Sequence, residues 1–414
     1  MTAVAASLAL ISGGQAWAGV TAATAGGAVF ITSDGGSDSI TVACSGGTTF
    51  VNGAQALPAL ACGGAVFVSV DDNGGNDSIN LSGFTAGAFP ALGSVDVDTD
   101  DAGTDTVIGS DHRDRVAADQ LDTVFGGLGN DRIADAKAVD GGDGSDLLLE
   151  PVATASGGPG SDRIVGPVNG PLDGGPGDDT VELGYDDAND QPVAITVSDT
   201  SYTFDNGVVP DTLSAVGVEH WVVSLPDITE SLQAVDSRAY TGGVTARMYG
   251  GPDTFLGGPG GDVVESGAGA DSVAPGGGSD TVLAGDGNDA VSVRDGAVDI
   301  VDCGLGADTV TADRSDVLTG CEGVSLPAPE TDKIAGPKKV TKGEKATFTF
   351  GSSVAGATFE CQVDKGSFKA CASPFKLKTK KLKSGKHTLK VRAVAGGADP
   401  SPSTFTFKVV APKP

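Results

Sequence analysis

Apolar residues along this chain come in short bursts separated by Gly, Asp and Pro. Toward the N-terminal end they alternate with polar residues, as in AVFITSD at 28–34 and AVFVSVDD at 65–72, which predicts strands with one buried face. Between 126 and 311 each burst shrinks to one branched aliphatic residue inside a short polar frame: Ile133, Leu148, Ile164, Val181, Val264, Val273, Val282, Val291 and Val310. Each predicts a short strand that sends a single side chain inward to stack on its neighbours, so the core of a solenoid built this way is thin. From about Pro329 the alternation returns in ATFTF, TFECQVD, SFKAC, HTLKVRAV and STFTFKVV, with turns about every ten residues, and predicts a small β-sandwich.

What frames the lone aliphatics is one nine-residue phrase, small-Gly-x-Gly-x-Asp-x-aliphatic-x, written nine times. The copies start at Gly126, Gly141, Gly157, Gly174, Gly257, Ser266, Pro275, Ala284 and Cys303. Position two is always glycine (Gly127, Gly142, Gly158, Gly175, Gly258, Gly267, Gly276, Gly285, Gly304), and so is position four (Gly129, Gly144, Gly160, Gly177, Gly260, Gly269, Gly278, Gly287, Gly306). Position six is always aspartate: Asp131, Asp146, Asp162, Asp179, Asp262, Asp271, Asp280, Asp289 and Asp308. Glycine enters positive-φ conformations cheaply and lets backbone carbonyls converge on a hard cation, while the aspartate supplies the charged oxygen. A glycine-rich flexible linker has a similar composition, but it has no reason to fix Gly, Asp and the aliphatic residue at set positions.

Spacing predicts how the turns stack. The copies at 257, 266, 275 and 284 run nine apart, so alternate turns lie on opposite edges and one coil takes eighteen residues. That puts Asp262 over Asp280, and Asp271 over Asp289 and Asp308. Neighbouring coils lie about 4.8 Å apart, where two bare carboxylates repel by roughly 1 kcal/mol in water and about 3.5 kcal/mol at an effective dielectric of 20. Such a ladder calls for a cation between its rungs. In the first block the aspartates are fifteen, sixteen and seventeen apart, nearly a whole coil each, so one edge carries metal turns there and the other carries plain loops such as ADAKAV and VGPVNG.

These phrases resemble the hemolysin-type (RTX) calcium-binding repeats. The resemblance implies a right-handed parallel β-roll with Ca2+ between adjacent turns, held by the position-six aspartates and backbone carbonyls of the turn glycines. Position one drifts from Gly to Ser, Pro, Ala and Cys, and Pro159, Pro176 and Pro259 stand at position three, both departures from the family's pattern. Weak copies at Ser33, Asp72 and Asp100 read as opening coils of the same solenoid. Asp96–Asp100 looks like the start of an EF-hand loop, but Asp101 stands where Gly is required and Val107 where the bidentate Glu belongs, so it reads as a strand with an acidic face.

Charge divides the chain of 414 residues. The net is −29, yet from residue 331 onward there are seventeen Lys or Arg against five Asp or Glu, leaving nine against fifty for 1–330. The acidic part excludes nucleic-acid binding over most of the length; the basic part is a separate module. The first eighteen residues read as a secretory signal peptide ending at Ala16-Trp17-Ala18, without the usual basic start, and no other stretch approaches the length of a membrane span. Six cysteines form three close pairs, as an oxidising compartment permits. Cys303 and Cys321 are eighteen apart, one coil, which places them within disulfide reach on one edge; Cys44 and Cys62 share that spacing, and Cys361 and Cys371 flank a hairpin around Asp364-Lys365-Gly366. The domain reading is therefore a leader at 1–18, degenerate β coils at 19–125, roll blocks at 126–184 and 250–325, an irregular β insertion at 185–249, and the sandwich at 330–414.

The segment from Gly356 to Pro402 resembles a bacterial immunoglobulin-like domain, which implies a spacer or adhesive module without catalysis. Its lysine run from Phe375 to Lys383 fits either a solubilising strand face or docking to an anionic glycan or wall polymer. Catalysis finds little support. His112, His220 and His387 are the only histidines, with no HExxH and no GxSxG, and the GxGxxA match at Gly285 lies inside a repeat. The sequence thus points to a secreted or cell-surface calcium-binding structural or adhesive protein of all-β class. A calcium-dependent polysaccharide lyase or hydrolase on a β-helix is the alternative. It would want basic catalytic residues and sugar-stacking aromatics, which make up 5% of the chain.

Overall fold

The computed structural model describes residues 15–17, 19–166, 169–184, 194–205, 211–225 and 233–412. The leader expected at 1–18 falls almost wholly outside them, as do 185–193, 206–210 and 226–232 of the segment read as an insertion. Among the described residues all regular structure is strand, apart from the 3-10 turns Cys62–Gly64 and Thr379–Lys381. Among the described residues no helix is long and apolar enough to cross a membrane. The chain divides into two compact units, Met1–Thr311 with Ser315–Val324, and Ala312–Arg314 with Ser325–Pro414.

The first unit is a solenoid of two parallel ladders. Three-residue strands stack in strict register because each contributes one aliphatic side chain to the interior. On one ladder Val116, Ile133, Leu148, Ile164 and Val181 pair in succession, and Ala246, Val264, Val282 and Val301 do so farther on. On the other the column runs Ile40, Ile79, Val107, Val124, Val139, Ala155 and Leu172, then Val235, Phe255, Val273, Val291 and Val310. All nine aliphatics at position eight of the repeats are buried. The strand Ser94–Asp98 buries Val95 and Val97 and leaves its acids toward the outside, as its alternation requires.

Residues 211–247 carry no repeat, yet their strands continue both ladders. His220–Ser224 pairs with Thr180–Gly184 and Val244–Arg247, seating Trp221 between Val181 and Val244 in the core. What is inserted is narrower: Ala194–Ser198, Ser201–Asp205 and Asp211–Val216 form an antiparallel meander spliced into the second ladder between Leu172 and Val235. Its Tyr202 ring lies 5.8 Å from Trp221. Cys44 is bonded to Cys62, and Cys303 to Cys321, with Cα separations of 6.0 and 5.3 Å.

The second unit has a five-stranded sheet in the order Lys339–Thr341, Ser403–Val410, Gly385–Val394, Thr358–Val363, Lys369–Cys371, and a two-stranded sheet of Lys345–Phe348 with Phe375–Lys378. Both feed one core of Ile334, Val340, Phe348, Leu389, Val391, Phe407 and Val409. Phe348 sits 5.7 Å from the Phe405 ring and 5.3 Å from that of Phe407. Cys361 and Cys371 are bonded, tying the edge strand Lys369–Cys371 to its neighbour Thr358–Val363.

Candidate metal centres

The turns between strands place the aspartates in two columns, one on each edge of the solenoid. On one edge the backbone N–H of Asp131 donates to Oδ1 of Asp146 at 2.7 Å, Asp146 to Asp162 at 2.8 Å, and Asp162 to Asp179 at 2.8 Å. That column resumes with Asp262 donating to Asp280 at 2.8 Å. On the other edge Asp271 donates to Asp289 and Asp289 to Asp308, both at 2.9 Å. The stacking expected from the eighteen-residue coil is therefore present, but with a division of labour that spacing does not reveal. One oxygen of every repeat aspartate is structural, because it accepts an N–H from the coil before. The other oxygen has nothing: Oδ2 of all nine is buried without a hydrogen-bond partner.

Glycine is what lets the turns come this close. Gly144 would place a Cβ 1.4 Å from the Gly129 carbonyl oxygen, and Gly287 would do the same to Gly269, so no side chain fits at position four. Gly287 also has φ +153 and Gly285 φ +98, backbone that L residues rarely adopt. Beneath position one the orphaned oxygen tucks against the turn: a Cβ on Gly126, Gly141 or Gly157 would meet Oδ2 of its own aspartate at 2.5 Å. A buried carboxylate oxygen aimed into a cradle of backbone carbonyls fits a hard, oxygen-seeking cation.

Without such a cation the charge is ill-tolerated. Burial pushes the carboxyls of Asp131, Asp146 and Asp262 up to about 7, and those of Asp162, Asp280 and Asp289 up to about 6. Asp179 and Asp271 rise as well, also from burial. A backbone N–H to each partly opposes the shift, and a neighbouring carboxylate adds to several of them. A divalent ion would invert this balance.

The columns hold more members than the nine phrases. Asp114 donates to Asp131 at 2.7 Å, Asp253 to Asp271 at 2.8 Å, and Asp280 to Asp299 at 2.9 Å, with Glu219 and Glu322 accepting from Asp179 and Asp308 at the ends. Burial raises Asp253 to about 8 and Asp114 to about 7. A signal for Asp253 was available: Asp253 and Phe255 stand at positions six and eight, but Tyr249, with φ +63, occupies the position-two place of glycine. In the first block the opposite edge carries the turns at 135–137 and 150–153, whose one aspartate, Asp135, stacks on no aspartate of the next turn.

Residues 249–282 and 256–291 match the family model of the RTX calcium-binding nonapeptide repeat (4 copies). These turns are calcium-binding repeats. No curated protein matches the chain. The matched span covers four of the nine phrases; the other RTX-like phrases share the same two columns and the same orphaned oxygen.

Proposed function

We propose that this is an exported structural or adhesive protein whose solenoid folds and stiffens on binding Ca2+ and presents residues 330–414, an immunoglobulin-like module, to an anionic extracellular or cell-wall polymer. The observation that carries the reading is the row of nine buried Oδ2 atoms without partners. In this reading each is a ligand, joined by carbonyls of the position-two and position-four glycines. Extracellular modules bind calcium at about 10⁻⁴ to 10⁻³ M, so a chain kept unfolded where calcium is scarce would fold on export. The three disulfides suit an oxidising compartment.

The docking half rests on charge arrangement. In the second unit Lys408 pairs directly with Lys339 on one side and Lys386 on the other, and Lys345 pairs with Lys378 on the small sheet; all five are exposed. Like charges directly opposite each other destabilise a sheet, which an anionic polymer laid across the row would relieve. No catalytic group enters this reading.

The test is a calcium titration of the full chain followed by far-UV circular dichroism, with magnesium as control. A cooperative gain of β signal with calcium and none with magnesium is expected; equal order in excess chelator would sink the reading. Retention on polygalacturonate or polyphosphate beads, lost in Lys345→Glu/Lys378→Glu, checks the docking half.

A further inference from the structure

The coils ahead of the first full repeat hold a cluster that the nonapeptide pattern does not explain. The turns at 72–77 and 99–105 stack on one edge: Asp77 N–H donates to Asp105 Oδ1 at 2.6 Å, and Asp38 N–H to Asp77 Oδ1 at 2.7 Å. That is the column geometry seen elsewhere, and it leaves Oδ2 of Asp77 and of Asp105 buried and unpaired. Here, however, two more carboxylates enter from the start of each turn, Asp72 and Asp101, at places where the repeats carry small residues. One carboxylate oxygen from each of Asp72, Asp101 and Asp105 lies within 4.8 Å of the others.

Burial makes this more than an acidic patch. Asp72 is 5%, Asp77 3% and Asp105 1% exposed. Asp72 Oδ1 accepts the Ser33 hydroxyl, and its Oδ2 has no partner. Both oxygens of Asp101 are buried as well; the Gly74 N–H comes near but closes no hydrogen bond of good geometry. No lysine or arginine forms an ion pair with any of the four among the described residues.

We propose that Asp72, Asp101 and Asp105, backed by Asp77, form a calcium site built from side-chain carboxylates, different in donor set from the nonapeptide turns. Oxygen is the only donor element, which selects a hard cation. Three oxygens that all lie within 4.8 Å of one another are close enough to reach a single calcium ion at Ca–O distances of about 2.3–2.6 Å. Three to four full charges converge here, against one aspartate per nonapeptide phrase. Affinity in calcium sites follows ligand charge count, so this site fills first, at free calcium about tenfold or more below that needed by the repeats. The inference does not rest on the polymer docking proposed above.

The test is equilibrium dialysis of the full chain against graded free calcium, counting bound ions, for the wild type and three variants. Asp101→Asn and Asp72→Asn remove ligand charge; Asp100→Asn removes an exposed neighbouring charge that points to no cluster. The expected result is a first step of one ion in the wild type and Asp100→Asn, moved to about tenfold higher calcium or lost in the other two, with later steps shared by all four. Circular dichroism at saturating calcium establishes that each variant folds; Asp101→Asn breaks no hydrogen bond and serves if Asp72→Asn does not. A first step unchanged in Asp101→Asn, or equally lost in Asp100→Asn, overturns the proposal.

Discussion

Asp131 in the solenoid and Asp399 in the C-terminal unit are equally buried, 2% exposed each, yet their carboxyls are displaced in opposite directions. Burial raises Asp131 to about 7. Burial works against Asp399 too, but the hydrogen bonds it accepts overcome that and hold it below the ordinary carboxylate range. Asp399 Oδ1 accepts the Ser401 N–H and hydroxyl, and Oδ2 the Thr331 N–H and hydroxyl, at 2.6 to 3.0 Å. One unit satisfies its buried charge internally; the other leaves half of each carboxylate for an ion. The cores differ in step, a cluster rich in phenylalanine in one and a single aliphatic per repeat strand in the other.

The sharpest way to break this contrast is to remove calcium. In chelator at neutral pH, amide hydrogen exchange should lose its protection across 105–311 and keep it across 339–410 of the same molecule. The Trp221 side chain, 1% exposed within the solenoid, should shift its fluorescence to the red. Protection in the solenoid that survives chelation would show that the orphaned oxygens are tolerated without an ion.

A matched pair of glycines tests the same difference in backbone terms. Gly287→Ala would drive a Cβ to 1.4 Å from the Gly269 oxygen, at φ +153, and should cost more than about 3 kcal/mol or block folding of that coil. Gly396→Ala in the second unit keeps a positive φ of +71 with nothing within 4 Å, and should cost about 1–2 kcal/mol. Calcium-saturated thermal unfolding reads both; equal losses would mean that close stacking of turns is not what holds the solenoid.

The two ladders were legible in the sequence because a repeat exposes its period: Val264 and Val282, or Asp271 and Asp289, announce their stacking by eighteen residues. The strands without glycine were harder. Trp221 continues the first ladder with no phrase around it, because any apolar residue that fits can fill one slot of a stack. Asp114 and Asp299 were missed since their turns replace the position-two and position-four glycines, and Asp299 sits one residue late, nineteen from Asp280. The split use of each carboxylate depends on which N–H lies beneath it, and spacing alone does not carry that information.

The terminal disulfides sharpen the comparison on a smaller scale. Cys303–Cys321 and Cys361–Cys371 close loops of 18 and 10 residues, so chain entropy assigns each about 3 kcal/mol. A solenoid shares its stability between neighbouring coils only, so Cys303→Ser/Cys321→Ser should fray the last coil and leave exchange protection around Ile133 intact. Cys361→Ser/Cys371→Ser should lower the stability of the whole second unit in one transition. A global loss from the first pair would refute the coil-by-coil picture.

The smallest effect is the dependence on pH, and its sign separates the units. A carboxyl raised in the fold, as in Asp146 or Asp253, stabilises below its unfolded value near 4 and loses that contribution as pH rises through about 7 to 8. In chelator, therefore, acidification from pH 8 toward 5 should restore order to the solenoid. With calcium the trend reverses, because protons compete for the ligands and the calcium midpoint rises on acidification. In the second unit burial opposes the charge of His387, but the Lys383 carbonyl and Asp364, both at 2.7 Å, outweigh it and raise its pKa. That contribution is full below pH 6.5 and fades as pH rises through the folded value. Asp364 is held low by His387 and the Thr388 N–H despite burial, so its share disappears only in stronger acid, below about pH 4. His387→Gln should flatten the change between pH 6 and 8, about 0.5–1 kcal/mol for a partly exposed pair, with or without calcium. Urea unfolding at both calcium levels measures it, and a calcium-dependent slope in this unit would mean that its charges are not internally satisfied after all.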